Sequence, residues 1–252
     1  MNINTVQKLS KYFFVIFLIY LGGCSSSKVI RYEKLPMKED KKNETTPVLK
    51  TLEVREREVI REQKISTVDR LSFVYDSQGK LIGKGKISSA KYDLKGFLTE
   101  TITFDEKGKV MNRYQYKYDS KGLRTESLRY DAQNNLDKKY AYEYDKQGNK
   151  IRSIRYDMKG NAEKYYVYNY DSNFNLISDE WYNYSDDLEY KIETEYDNEG
   201  NKTSSFSYNK NGALIYKYVF KYDDKKNIIE EQKYDNKDKP VGIIQYLYKY
   251  YL

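Results

Sequence analysis

Catalysis in a protein chain needs side chains that ionise near neutrality, ligate metals or attack as nucleophiles. This 252-residue chain offers few of them: it has no His and a single Cys, Cys24. Without His there is no imidazole acid–base group, no Ser-His-Asp or Cys-His nucleophile and no histidine metal site. One Cys makes neither an internal disulfide nor a thiolate zinc cluster. Carboxylates are plentiful, and glycoside hydrolysis needs only two. The neighbouring pairs Asp186-Asp187 and Asp223-Asp224 are candidates. Asp186 and Asp223, however, occupy turn positions of the repeat described below, and Asp224 is a variable turn residue. Asp and Asn recurring in loops also suggest calcium, but each turn offers one regular carboxylate, not the dense ligand set of an EF-hand. No glycine-rich phosphate loop or dinucleotide fingerprint is present. The expectation is a protein with no catalytic residues, no metal and no cofactor. The residue in excess is Tyr, with 30 copies against one Trp.

The net charge of +7 suggests nucleic acid until it is located. Residues 1–23 carry +2, residues 24–91 carry +6 and residues 92–252 carry −1. A nucleic-acid binder concentrates Lys and Arg on its folded face. Here the bulk of the chain is neutral, so nucleic acid is not an expected partner.

The N-terminus reads as a processing signal. Lys8 and Lys11 precede the apolar run Tyr12 to Leu21, which is too short to span a bilayer as a helix and suits a signal-peptide core. Leu21-Gly22-Gly23-Cys24 follows. This resembles the bacterial lipobox, in which small residues precede a Cys that is lipidated and becomes the first residue after cleavage. The resemblance implies a membrane anchor at Cys24, since several acyl chains on one residue hold where a single chain is marginal. Ser25 follows Cys24; by similarity to the enterobacterial sorting rule, a residue other than Asp there implies the outer membrane, on its periplasmic or surface side. Residues 24–50 are polar and aperiodic and read as the lipidated end and its tether. Their basic surplus could also touch anionic head groups. Residues 51–91 read as irregular strands, with 51–70 ambiguous and leaning to strand.

The rest, residues 92–252, is a repeat. An aromatic followed by Asp or Asn begins at Tyr92, Phe104, Tyr118, Tyr130, Tyr144, Tyr156, Tyr170, Tyr182, Tyr196, Tyr208, Tyr222 and Tyr234. The gaps alternate 12 and 14, so the unit is 26 residues. Three residues after most of these acids stands Gly, Asn or Asp, as in Asp119 to Gly122, Asp145 to Gly148, Asp157 to Gly160 and Asp197 to Gly200; Phe174 and Lys226 are the exceptions. Asp opens a type I turn by accepting backbone N–H groups, and the later residue must tolerate a left-handed backbone. Together they make the type I turn with a G1 bulge that joins hairpin strands. Even turns leave strands of six to eight residues, an antiparallel meander.

Because 12 and 14 are even, simple alternation places every anchor aromatic on one face. Tyr114, Tyr116, Tyr140, Tyr142, Tyr166, Tyr168, Tyr218, Phe220 and Tyr246 join them, with Ile102, Leu128, Ile154 and Phe206 from alternate strands. The opposite face carries Lys91, Gln115, Lys117, Glu143, Asn169, Glu193, Glu195 and Lys221. So long a ribbon twists and curls. The expected fold is all-β, a long antiparallel meander of 26-residue double-hairpin repeats in one curled or open sheet, with a flat single layer as the alternative. A membrane-spanning barrel does not fit, since its strands are longer and one face must be apolar.

The pattern Tyr-x-Tyr-Asp-x-x-Gly, as in Tyr116 to Gly122 and Tyr142 to Gly148, resembles the YD repeat of Rhs and teneurin-type proteins. That resemblance implies a curled repeat sheet. It does not extend to toxin encapsulation, because the chain is far shorter than a closing shell, and the 12/14 spacing departs from the family period. A weaker similarity is to aromatic repeats of cell-wall-binding and glucan-binding proteins, which lean on Trp. Two functions follow as expectations. One is a membrane-anchored scaffold presenting the sheet to an unidentified protein partner by edges or turns. The other is a carbohydrate or cell-wall polysaccharide binder, with Tyr114, Tyr116, Tyr140, Tyr142, Tyr166, Tyr168, Tyr218 and Tyr246 as ligand contacts.

Overall fold

The computed structural model describes residues 49–252. The expected signal peptide, Cys24 and most of the expected tether lie outside the described residues. A helix, α1 (Leu52–Glu62), precedes fourteen strands: β1 (Ile65–Tyr75), β2 (Leu81–Tyr92), β3 (Leu98–Phe104), β4 (Val110–Tyr118), β5 (Arg124–Tyr130), β6 (Leu136–Tyr144), β7 (Lys150–Tyr156), β8 (Ala162–Tyr170), β9 (Leu176–Asn183), β10 (Leu188–Tyr196), β11 (Lys202–Asn209), β12 (Leu214–Tyr222), β13 (Ile228–Asp235) and β14 (Pro240–Tyr250). Each strand pairs with its neighbours in sequence, and β1 pairs with β14, so the sheet closes into a barrel.

Closure corrects the expected open or curled single sheet. The meander itself is as expected. What the repeat could not reveal is that its first and last strands meet, running from Ile65 opposite Tyr250 to Val74 opposite Gly242. An open sheet would leave two rows of unpaired backbone groups, and closure satisfies both. The seam is held by Asp69 of β1, only 3% exposed. Lys86 of β2 donates to it at 2.9 Å, and Lys249 of β14 lies 3.0 Å away.

The turns follow the Asp rule throughout. In the β4–β5 turn the Asp119 N–H donates to Leu123 O, Gly122 N–H donates to Asp119 O, and Asp119 Oδ1 accepts from Lys121 and Leu123 N–H groups. Gly122, Gly148, Gly160 and Gly200 all have positive φ, and so do Phe174 (60°) and Lys226 (63°), which hold the same position without glycine's freedom.

One consequence of these hairpins overturns the expected faces. Beside every turn in the repeat the register slips by one residue. Tyr118 pairs with Arg124, but Lys117 pairs with Glu126, leaving Thr125 as an extra residue. The same slip recurs in the next hairpin, where Tyr130 pairs with Leu136 and Arg129 with Lys138. Such a bulge reverses the alternation of all that follows. Two bulges per 26-residue unit put only half the anchors on the inner face. Tyr92, Tyr118, Tyr144, Tyr170, Tyr196, Tyr222 and Tyr248 point inward with the columns Tyr114, Tyr116 and their repeats. Phe104, Tyr130, Tyr156, Tyr182, Tyr208 and Tyr234 stand on the outer face, as do Ile102, Leu128, Ile154 and Phe206. Leu128 pairs with Gln115 and Phe206 with Lys217, both outward residues.

The outer wall also carries mid-strand ion pairs, Lys91–Glu100, Lys117–Glu126, Lys191–Glu180 and Lys221–Glu230. A lipid-facing barrel needs an unbroken apolar band there, so this wall is built to face water. Among the described residues no helix is long and apolar enough to cross a membrane.

The segment expected to lean to strand is helical over Leu52–Glu62. Its Leu, Glu and Arg residues favour helix, with Glu53 in the first turn and Arg61 in the last to suit the helix dipole. It lacks an apolar stripe because it docks by polar bonds to turns at one end of the barrel. Arg55 donates to Asn173 O at 2.7 Å and to Asn175 Oδ1 at 2.8 Å, and Arg57 donates to Gly122 O at 2.8 Å. At the far end of the helix, Asn227 donates to Gln63 at 2.8 Å. The fit is close: a Cβ on Gly96 would lie 2.3 Å from Arg57 O.

Candidate functional site

Fourteen strands at ~4.8 Å spacing and ~40° tilt enclose a barrel roughly 28 Å across. That is too wide for side chains to fill completely. Ile65 and Val68 are the only buried apolar side chains among the described residues, and the inward tyrosines are half-buried. The interior is therefore an aromatic and polar lumen.

Its tyrosines are held in register by two sets of bonds. In the ring beneath α1, six Tyr hydroxyls each donate to the carbonyl oxygen twenty residues earlier. Tyr118 donates to Leu98, Tyr144 to Arg124, Tyr170 to Lys150, Tyr196 to Leu176 and Tyr222 to Lys202, all at 2.9 Å, and Tyr248 donates to Ile228 at 2.8 Å. These bonds tie each 26-residue unit to the one before it. In the next ring the partner stands fifteen residues earlier. Tyr116 bonds Thr101 at 2.9 Å, Tyr142 bonds Ser127 at 2.5 Å, Tyr168 bonds Ser153 at 2.9 Å, and Tyr246 bonds Glu231. With their hydroxyls so engaged, these side chains offer ring faces to the lumen. Burial pushes the Tyr116 phenol up to about 12, offset in part by Thr101 and Arg124.

The second ring is interrupted on one side. The column Thr101, Ser127, Ser153 continues as Asp179, and the Tyr expected opposite it is Thr194, which bonds Ser205 instead. Beside Asp179 stands Trp181, whose Nε1–H donates to Asp179 Oδ1 at 3.0 Å. Burial pushes the Asp179 carboxyl up, against the opposing pull of Trp181 and Lys150. Trp181 packs edge-on to Tyr166 (5.6 Å, 74°) and against Tyr190 (4.9 Å).

These departures from the repeat border a cavity of about 270 Å³. Its walls are Tyr114, Tyr116, Tyr140, Tyr142, Tyr166 and Tyr168, with Ser127, Ser153, Arg124, Lys150, Asp179 and Trp181. Arg124 lies over the rings of Tyr116 (4.6 Å) and Tyr142 (5.7 Å), and Lys150 over Tyr168 (4.4 Å) and Tyr142 (5.8 Å). Lys150 also pairs with Glu53 of α1 at 3.4 Å, which connects the helix to the cavity.

The structure thus brings six of the eight expected contact tyrosines together. Tyr218 and Tyr246 lie elsewhere in the lumen, where Arg70 stands over Tyr246 and pairs with Glu231 at 3.5 Å. Asp119, Gly122, Asp145, Gly148, Asp157, Gly160, Asp197 and Gly200 form turns. The acidic pairs are at opposite ends of the barrel, Asp186-Asp187 in the β9–β10 turn and Asp223-Asp224 in the β12–β13 turn. Among the described residues no cluster of three metal-ligating side chains occurs. Sequence reasoning missed Arg124, Lys150 and Asp179 as site residues. Their signal was present as the charged members of two 26-residue columns. Arg124 and Lys150 stand six residues after anchors Tyr118 and Tyr144 and share their face, whereas Asp179 lies on the face that simple alternation assigns to the outside and is brought inward by the bulge.

No family model matches the chain, and no curated protein matches its sequence. Among solved structures it is similar to a porin-like protein from Bacteroides uniformis, at 11% identity, covering 73% of this chain and 98% of that one with a TM-score of 0.43. A porin-like protein from Bacteroides vulgatus is 13% identical over 73% of this chain and 98% of that one, with a TM-score of 0.33. A DUF1329 family protein from Desulfovibrio piger is 12% identical over 77% and 88%, with a TM-score of 0.33.

Proposed function

We propose that this protein is a bacterial envelope lipoprotein, anchored through Cys24, that binds a small ring-bearing polar molecule of the sugar class inside its barrel. The observation that carries the reading is the 270 Å³ tyrosine-lined cavity. Concave, largely aromatic sites with a few convergent polar groups are where small ligands bind, and about 300 Å³ marks the small end of their range. The cavity has room for one or two sugar rings. Its rings would lie on Tyr116, Tyr142, Tyr168 and Trp181, whose planes are already fixed by hydrogen bonds. Fixing them in advance lowers the cost of ordering on binding. Presentation of sheet edges to a protein partner loses its support, because among the described strands every edge is paired.

Trp181 is the only Trp of the chain and lines the cavity, so it serves as a built-in reporter. Titrating the purified full chain in detergent with mono- and disaccharides should change its emission saturably, and Tyr142→Ala should abolish the change while the barrel still folds. Silence of Trp181 across the panel would refute sugar binding in this cavity. For the anchor, Cys24→Ser should move the protein from the membrane fraction to the soluble one. Retention in the membrane would refute lipid anchoring there.

A further inference from the structure

Resting on that reading, we propose that the ligand is a sugar acid, whose carboxylate is held by Arg124 and Lys150 and whose hydroxyls are received by Asp179. The argument begins with an imbalance of charge. Among the described residues Arg124 has no carboxylate at ion-pairing distance. Its Nη2 makes one long bond of 3.5 Å to the Tyr118 hydroxyl, its Nε is buried without a partner, and its plane lies on Tyr116. A charge withdrawn from water normally finds a partner, and an unpaired guanidinium beside a cavity is a fork preset for a carboxylate.

The count of charges selects the kind of anion. Lys150 is already matched by Glu53 at 3.4 Å. The Arg124–Lys150 end of the cavity therefore carries a net single positive charge, which one carboxylate neutralises and a phosphate dianion exceeds. At the Asp179 side the polarity reverses. One oxygen of Asp179 takes the Trp181 indole N–H at 3.0 Å, and the other has no partner among the described residues, so it can accept hydroxyl donors. Cations at one end, an acceptor at the other and ring faces between them fit a pyranose that carries one carboxylate.

The test is calorimetric titration of the full chain in detergent with D-glucuronate, D-glucose and glucose 6-phosphate, with Trp181 emission followed alongside. Glucuronate should bind about tenfold or more tightly than glucose, the range of a charge-assisted bond. Arg124→Gln should weaken glucuronate about tenfold or more beyond any effect on glucose, removing the preference for the acid, while Lys117→Gln on the outer wall should alter neither. Should Arg124→Gln fail to fold, salt decides the matter in the unmodified chain, since glucuronate affinity should fall with ionic strength and glucose affinity should not. If glucose binds as tightly as glucuronate and shifts Trp181, the cavity binds sugars and the acid assignment is wrong. If glucose 6-phosphate binds more tightly than glucuronate, the anion is not a carboxylate. If none of the three binds, the assignment to a sugar acid is overturned, and the wider saccharide panel then judges the cavity separately.

Discussion

Asp69 should act as the fastening of the barrel seam, and its removal gives a quantitative test of closure. It is buried on β1 between Lys86 of β2 and Lys249 of β14. Burial alone would raise its carboxyl, but the polar Ser89 and the ammonium groups of Lys86 and Lys249 beside it outweigh this and bring it from 3.8 down to about 2. A depressed carboxyl stabilises the fold above its unfolded value and loses that contribution as pH falls toward its folded value. A shift of nearly two units corresponds to about 2.5 kcal/mol. Asp69→Asn should therefore cost about 2–3 kcal/mol at neutral pH, and the difference from the unmodified protein should shrink between about pH 4 and pH 2. Urea unfolding followed by circular dichroism at a series of pH values would measure it. A difference that stays constant across that window would mean the loss is one of packing. No difference at neutral pH would mean the seam is not held by this carboxylate.

Three further expectations follow. Tyr170→Phe leaves the Lys150 carbonyl without its donor and should cost about 1 kcal/mol, read as a drop of a few degrees in Tm, whereas Tyr156→Phe on the outer wall should cost less. Burial raises the Asp179 carboxyl, so ionising it penalises the folded state increasingly as pH rises through and above its ordinary value. Asp179→Asn should raise Tm at neutral pH, the gain vanishing in acid, while weakening saccharide binding. Lys226 sits at φ 63° with only an exposed pair to Glu199, and Lys226→Gly should stabilise by about 0.5–1 kcal/mol in thermal unfolding.

Much of this architecture is legible in the residues, and the limits have physical causes. Asp at the turn opening and Gly, Asn or Asp three positions on encode a local geometry, so the turns and strands could be read directly. Phe174 and Lys226 adopt the same left-handed backbone because the flanking strands impose it. Which way side chains point was not legible from spacing, since the extra residue in each hairpin, such as Thr125, has no distinctive type. The even 12/14 spacing suggested one aromatic face, while two bulges per unit divide the anchors between lumen and wall. Closure depends on β1 meeting β14 through Asp69 and Lys249, which are 180 residues apart and carry no repeat signature. The helix was hidden because Arg55 and Arg57 dock it through turn carbonyls, with no apolar stripe for periodicity to find. Within the site the tyrosines were legible as columns. Arg124, Lys150 and Asp179 became meaningful only when the lumen placed them around one cavity.

The most direct test of ligand binding in the lumen is a crystal structure of the protein with D-glucuronate. The account predicts the sugar inside the barrel, its carboxylate within hydrogen-bonding distance of Arg124 and its ring between Tyr142 and Trp181. Glucuronate bound on the outer wall, or a lumen left without it when the ligand is saturating in solution, would contradict the account.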